Sequence, residues 1–571
     1  MQTLTRRDFI KLAATALGGM VLAGCRGEQL ARTTAPPIQV SSPPPTGPAD
    51  MILINGKVIT VDAQDTITQA IAIKDGLIQA VGTTEEIRAR AGAAAKVVDL
   101  QGKAVTPGLI DPHIHVQIAG SFNRLTPFLP PEVKTIQDVQ RKLADVVTKT
   151  AQGEWVLGYY RLSEGQAPKR QELDPISSDH PVWIVHQGGH YGSANSVALK
   201  IAGITADIQN PAGGVIERDA RGQPTGVFYN HPAMDLLWQH IPKSAAEEVQ
   251  ENITTILPLL AASGVTSFQD NNVRNLDALR AYFEIAEQGK MTLRGSVYYT
   301  LESPPDQDKA LKQIERYAGD VMRFAGYKFL IDGPIQTAYC HEPHKGVRWD
   351  MPTWDPASFK KAIRAMHDTG LQICVHCMGD AAVDLTLDAY ETAMNANPRA
   401  NPRHRIEHCV LTTLRASQRI KDLGVVICVT PTFIRTSGDY WVTLFDDQRV
   451  QRMIVAREWL EAGIPVTIGS DAPTTLWYTP QATLAAAVSR VTPSNKVLGI
   501  DQRLTIKEAL RGHTIGAAYA AHEEKIKGSI EAGKLADLVV WNEDPYSIAV
   551  NHLPDVTIAT TIVGGKVVFQ V

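Results

Sequence analysis

The chain has 571 residues, more than one hydrophobic core usually organises, so one large domain plus at least one smaller unit is expected. A hydrophobic share of 44%, a charged share of 20% and a formal net charge of −4 describe an ordinary globular protein without the basic excess that nucleic acid demands of a partner. Its 6 cysteines are too few and too irregularly spaced to form a disulfide framework in a chain this long.

The first residues read as an address. Thr5-Arg6-Arg7-Asp8-Phe9-Ile10-Lys11 precedes a weakly apolar run, Leu12 to Gly24. That run is shorter than the roughly 20 residues needed to span a bilayer. It resembles a twin-arginine export signal, and its end, Leu22-Ala23-Gly24-Cys25, resembles a lipoprotein signal-peptidase site at which Cys25 becomes the acylated first residue. Residues 26–50, rich in Pro, Ser and Thr, read as an extended tether.

From Met51 to Val105 short apolar stretches are punctuated by Asn55-Gly56 and Asp75-Gly76, pairs that admit the positive φ of tight hairpins. The last forty or so residues share this grammar: Leu538 to Trp541 and Thr560 to Val563 are strands, and Gly564-Gly565 turns the chain into Lys566 to Phe569. The two ends are expected to meet in one β-sandwich, residues 51–105 with 528–571.

Between them lie eight apolar, β-branched runs separated by enough chain for helices. They are Val105 to His115, Gly264 to Asp270, Leu293 to Thr300, Tyr327 to Gly333, Leu371 to Cys377, His404 to Cys409, Val425 to Pro431 and Pro465 to Asp471. Such a series predicts a closed parallel (β/α)8 barrel over 106–527. About 150 residues separate the first run from the second, far more than one crossover needs, which predicts an inserted α/β subdomain at about 120–260.

Four runs end in metal-capable side chains: His113 and His115, two apart and so on one face of a strand, then His376, His408 and Asp471. Barrel closure would bring these distant residues to one mouth, with Lys328 as a sixth candidate. A lysine in the otherwise apolar stretch Phe329-Leu330-Ile331 is costly to bury charged. Asp270 and Asp332, also at strand ends, are read as partners of the ligands or as caps of the following helices. Cys374 and Cys377 read as barrel packing, and Cys340, His341, Glu342 and His344 as a solvated loop.

Several separated motifs occur in order: Thr106-Pro107-Gly108-Leu109-Ile110-Asp111-Pro112-His113-Ile114-His115, Lys328-Phe329-Leu330-Ile331-Asp332-Gly333, Val375-His376-Cys377-Met378-Gly379-Asp380, Arg405-Ile406-Glu407-His408, Gly469-Ser470-Asp471-Ala472-Pro473 and Gly528 to Asp537. From about residue 51 onward the chain resembles the amidohydrolase superfamily, more narrowly its amidohydrolase-3 branch. The resemblance implies a TIM barrel with a flanking β-sandwich built from both termini, and one or two divalent metal ions, commonly zinc. It implies that His113, His115 and Asp471 bind the more buried ion, that His376 and His408 bind the other, and that Lys328 bridges them as a carboxylated lysine. It further implies that Asp471 takes a proton from metal-activated water and returns it to the leaving amine. The segment His190 to Leu199 is similar to the family's substrate side, which makes His190 and Asn195 candidate substrate contacts, although Ser193 stands where many members have tryptophan.

The expected function is hydrolysis of a non-peptide amide, cyclic amide or formamide in a small molecule. Metal-dependent cleavage of another bond, such as an ester, and a catalytically silent lipid-anchored binding protein remain alternatives. The expected partners are a small-molecule substrate and a membrane reached only through the N-terminal lipid anchor, with assembly into a homo-oligomer left open. Export to the periplasmic or cell-surface side follows from the signal. Replacing Arg6 and Arg7 with lysine is expected to trap the protein inside the cell, and Cys25→Ala to release a soluble form; fractionation that finds both variants exported and membrane-bound contradicts this.

Overall fold

The computed structural model describes residues 43–571, apart from residues 123, 163–165, 243–245, 315–316, 346–350 and 476–477. The export signal, its twin arginines and Cys25 lie outside the described residues.

Eight parallel strands form the central sheet in sequence order: β1 (Leu109–Ile114), β2 (Val265–Val273), β3 (Arg294–Leu301), β4 (Met322–Leu330), β5 (Gln372–Cys377), β6 (Arg405–His408), β7 (Val426–Val429) and β8 (Val466–Ile468). All eight overlap the apolar runs read from the sequence, although β4 begins at Met322, five residues before its run, and the first run also takes in part of the sandwich strand 104–107. Helices cover the outside and side chains fill the inside, so both faces are buried and the strands read as near-continuous apolar stretches. Just beyond β8 the N–H of Asp471 donates to His113 O at 2.7 Å and the N–H of His115 donates to Ala472 O at 2.9 Å, which ties the last strand to the first.

Two further sheets bring the chain ends together. One has the order 77–82, 70–74, 49–54, 91–99; the other joins 566–570, 558–563, 538–541, 104–107, 57–59 and 67–68. Strand 104–107 runs antiparallel to 538–541, and Leu53, Val58, Ile71, Val105, Leu538 and Ile562 share one core, so the two sheets form a sandwich. Asp75-Gly76 and Gly564-Gly565 turn true hairpins with positive φ. Asn55-Gly56 does not: strand 49–54 pairs with 70–74 and 91–99, while 57–59 pairs in the other sheet, so this turn carries the chain between layers. The dipeptide fixes a local backbone shape and leaves the pairing partner to the distant core.

Between β1 and β2 the insertion builds a six-stranded mixed sheet over residues 126–229 with its own core around Trp183 and Phe228. It docks over the barrel mouth, where Gln187 Nε2 donates to Pro473 O at 2.8 Å. Among the described residues no helix is long and apolar enough to cross a membrane.

β1 is braced from below by His513, whose carbonyl accepts the N–H of Ile110 at 2.7 Å and whose ring meets Thr483 Oγ1. Burial pulls the His513 pKa down to about 4, so the folded state holds this ring neutral while the unfolded chain titrates near 6.5. Unfolding therefore takes up a proton as pH falls from 6.5 to 4. Stability attributable to this residue drops across that window, by on the order of 3 kcal/mol, and is flat below it. In His513→Gln the slope of thermal midpoint against pH between 6.5 and 4 should be shallower than in the unaltered protein; an identical slope would contradict the assignment.

Candidate metal centre at the barrel mouth

The C-terminal ends of β1, β5, β6 and β8 converge as expected. His113, His115 and Asp471 are all buried, and each offers one ligand atom within 4.8 Å of the other two. Asp471 Oδ1 lies 2.9 Å from His115 Nε2 and 3.3 Å from His113 Nε2. The His408 ring is 4.6 Å from that of His113 and 4.7 Å from that of His376. Lys328, 2% exposed on β4, lies where the charges of Glu407 and Asp471 act on it. The structure thus gathers all six residues.

Each of three imidazoles is held by one nitrogen and leaves the other for the centre. His113 Nδ1 donates to Glu407 Oε2 at 2.5 Å, His376 Nε2 donates to Gly333 O at 3.1 Å, and His408 Nδ1 is bonded to Thr430 Oγ1 at 3.0 Å. Fixing one ring nitrogen selects the tautomer and aims the other, as partners behind metal ligands do. Glu407 is itself clamped by Arg405, whose Nε lies 2.8 Å from Oε1, and Arg405 also donates to Pro112 O at 2.8 Å across the barrel. The other nitrogen, His113 Nε2, faces the Asp471 carboxylate at 3.3 Å without a hydrogen-bond partner. With His115 beside them, this buried nitrogen and carboxylate form a donor set that fits a metal ion.

Local backbone geometry completes the aim. Arg405 and Glu407 share one face of β6 by strand alternation, which would send His408 the opposite way. His408 instead has φ 68°, and Asp471 has φ 54°, the left-handed region that non-glycine residues adopt only at a cost of about 1–3 kcal/mol. The strain turns both side chains into the mouth.

Electrostatics match. Burial drives the pKa of His376 and His408 well below the usual imidazole value, with neighbouring rings and Lys328 adding to it, so both rings are neutral. Burial alone would raise Asp471, but the imidazoles of His113 and His115 beside its carboxylate hold it well below the carboxylate range. Desolvation lowers Lys328, favouring the unprotonated amine. Asp332, pushed up to about 7 by burial, accepts the amides of Met378, Gly379 and Tyr339, and so clamps the loop after β5. Asp270 braces the segment after β1 by accepting from Gln117 N at 3.3 Å and from Tyr282 Oη. Neither caps the helix that follows it.

A cavity open to solvent reaches Asp471 and His376 and is walled by the insertion and the segments after β4, β5, β7 and β8. His190 lines it, its ring 5.0 Å from that of His376 and its pKa lowered to about 4 by burial. Asn195 is a correction. Its Nδ2 donates to Ser177 O and His180 O, and its Oδ1 accepts from Val182 N and from Ala198 N at the start of helix 196–201, so every polar capacity is spent inside the insertion. Cys374 and Cys377 are buried free thiols. The segment 340–344 is not wholly solvated: Cys340 and His344 are buried, while His341, Glu342 and Pro343 are exposed and His341 reaches Asp384 at 2.8 Å. The sequence reading gave Glu407 no role, although Arg405-x-Glu407 on a strand is a same-face ion pair by period alone.

The model of the amidohydrolase family matches residues 96–569. The chain belongs to the amidohydrolase family. It is 30% identical over 91% of its length to an N-substituted formamide deformylase of Arthrobacter pascens, of which the match covers 98%. It is 28% identical, with 92% of each chain covered, to the protein LONG AFTER FAR-RED 3 of Arabidopsis thaliana. Among solved structures an uncharacterised metal-dependent hydrolase of Pyrococcus horikoshii superposes with a TM-score of 0.69 at 25% identity, covering 88% of this chain and 99% of its own.

In this amidohydrolase, Thr430→Val removes the hydroxyl behind His408 without changing side-chain volume much. Zinc affinity is expected to fall about tenfold or more while the thermal midpoint of the metal-free protein barely moves. Competition with a chromophoric chelator reads this, and unchanged affinity contradicts an orienting role for Thr430.

Proposed function

We propose that this amidohydrolase is a metal-dependent enzyme that cleaves a carbon–nitrogen bond of a small, non-peptide amide, cyclic amide or formamide. The observation that carries this reading is the buried cluster of His113, His115 and Asp471, with His113 Nε2 unpartnered 3.3 Å from the Asp471 carboxylate, a donor set suited to a divalent ion. His113, His115 and Asp471 would hold one ion, His376 and His408 a second, and Lys328 would bridge them as a carbamate; its lowered pKa favours the neutral amine that reacts with carbon dioxide. When bound, divalent metal supplies a Lewis acid for the substrate carbonyl and lowers the pKa of water from near 16 towards about 7.

Asp471, ionised at neutral pH, accepts the water proton on its carboxylate and delivers it to the departing nitrogen. One carboxylate serves both steps because they are sequential. His190, neutral and beside His376, orients the carbonyl end of the substrate without competing as a cation. The formamide deformylase similarity, which spans nearly the whole of that relative, favours an N-substituted amide over an ester. The intact ligand set argues against a silent binding protein. Arg6-Arg7 and Cys25 support a lipid-anchored enzyme outside the cytoplasm.

Zinc-loaded protein assayed against N-alkylformamides, lactams and matched esters should release amines, with chelation abolishing turnover and zinc restoring it. Asp471→Asn should lower kcat by about a thousandfold, and native mass spectrometry should find one carbon dioxide added at Lys328. Ester hydrolysis with every amide untouched contradicts the carbon–nitrogen assignment.

A further inference from the structure

The cavity above the metal centre contains polar groups that the hydrolytic reading leaves unused. His186, on the insertion strand Val182–His186, is 5% exposed and lines the cavity. Its Nδ1 accepts the N–H of Gly188 at 3.1 Å, so the proton of the neutral ring resides on Nε2. That Nε2 is buried and has no partner. The ring itself is fixed, stacked on Tyr191 at 4.3 Å and edge-on to Tyr160 at 5.6 Å. Burial and the nearby Arg161 charge keep it uncharged.

Across the cavity, Trp441 on helix Thr432–Leu444 is 1% exposed, and its indole Nε1 also has no partner. An indole N–H can only donate. Thr436 on the same helix and Thr475 beyond β8 add buried hydroxyls without partners to the same lining. Three segments thus each contribute to the lining of one cavity a residue that carries an unpartnered polar group. The two nitrogen groups are obligate donors in the state described. Leaving such groups buried and unpaired is costly, and a ligand bearing acceptors removes that cost.

We infer that His186, Trp441, Thr436 and Thr475 form a recognition subsite for an oxygen acceptor, a ketone-like carbonyl or a carboxylate, carried by the substrate at the end remote from the bond that is cut. The inference rests on the reading of the barrel mouth as the substrate site, and it narrows the substrate class from any small amide to one with a second, oxygen-bearing head. The donors do not take part in bond cleavage; they select and position. A hydrocarbon end of the same shape leaves them unsatisfied, which is the kind of mismatch that discriminates strongly between substrates.

The test uses zinc-loaded full-length protein and three series of N-alkylformamides of graded chain length, ending in a methyl ketone, a carboxylate or an isopropyl group. Binding is read by calorimetry on Asp471→Asn, so that it does not depend on turnover, and kcat/KM is read on the otherwise unaltered chain. At the best chain length an oxygen-ended compound should bind about tenfold or more tightly than its isopropyl match, and whichever of ketone and carboxylate wins identifies the head group. Trp441→Phe, which keeps the ring and loses the N–H, and His186→Phe should each bring that ratio towards one, while His186→Gln, which keeps an N–H, should retain part of it. Thermal midpoints show whether each variant folds, and Trp441→Phe stands as the test if His186→Phe does not. Equal affinity for all three ends at every length, no binding of any, or a preference unmoved by both variants overturns the subsite. A binding preference that persists without turnover in the unaltered chain overturns the formamide reading and leaves the subsite standing.

Discussion

Two backbone hydrogen bonds, Asp471 N–H to His113 O at 2.7 Å and His115 N–H to Ala472 O at 2.9 Å, close the seam between the last barrel strand and the first. They set the Asp471 carboxylate against the two imidazoles of β1, and the centre follows from that closure. Strands β4, β5 and β6 reach the same mouth because each is one register step around a closed sheet, so Lys328, His376 and His408 arrive from the far side. Without the seam, these would be six polar residues on an open sheet edge.

Gathering them is electrostatically expensive. Arg405, Glu407, His113, Asp471 and Lys328 are all nearly sealed from water, and burial penalises every charge among them. The arrangement holds because the charges are chained: Arg405 pairs with Glu407, Glu407 binds His113, and His113 faces Asp471. Removing one member of such a buried chain strands its neighbour at a cost of about 3–5 kcal/mol. The last contact has no hydrogen bond, and that is where a cation would complete the chain. Strain at His408 and Asp471 lies at the same place, held by a scaffold that packs tightly elsewhere.

Much of this was legible in the sequence. The barrel strands are buried on both faces, so each appears as an apolar run, and five of the six candidate ligands lie at the ends of those runs, where the barrel offers its polar mouth, while Lys328 lies near the start of its run. The stretch read as an export signal, charge followed by a short apolar run, lies outside the described residues. What escaped depends on three dimensions. Alternation along β6 points His408 away from the mouth, and only its φ reverses that. Asn195 looks like a substrate contact until its four hydrogen bonds are counted. His186 and Trp441 lie far apart in the chain and carry no motif; their significance is a proton on a particular nitrogen and the lack of a partner for it, which no spacing rule encodes. Asn55-Gly56 has hairpin chemistry but joins two sheets, because the core chose the pairing.

The central claim is that a buried cation lies between His113, His115 and Asp471. Crystals grown with zinc and measured on both sides of the zinc absorption edge test it most directly. The account predicts an anomalous peak bonded to these three side chains, with a second beside His376 and His408. A map with no peak among them, or with His113 and Asp471 turned into separate surroundings, contradicts it.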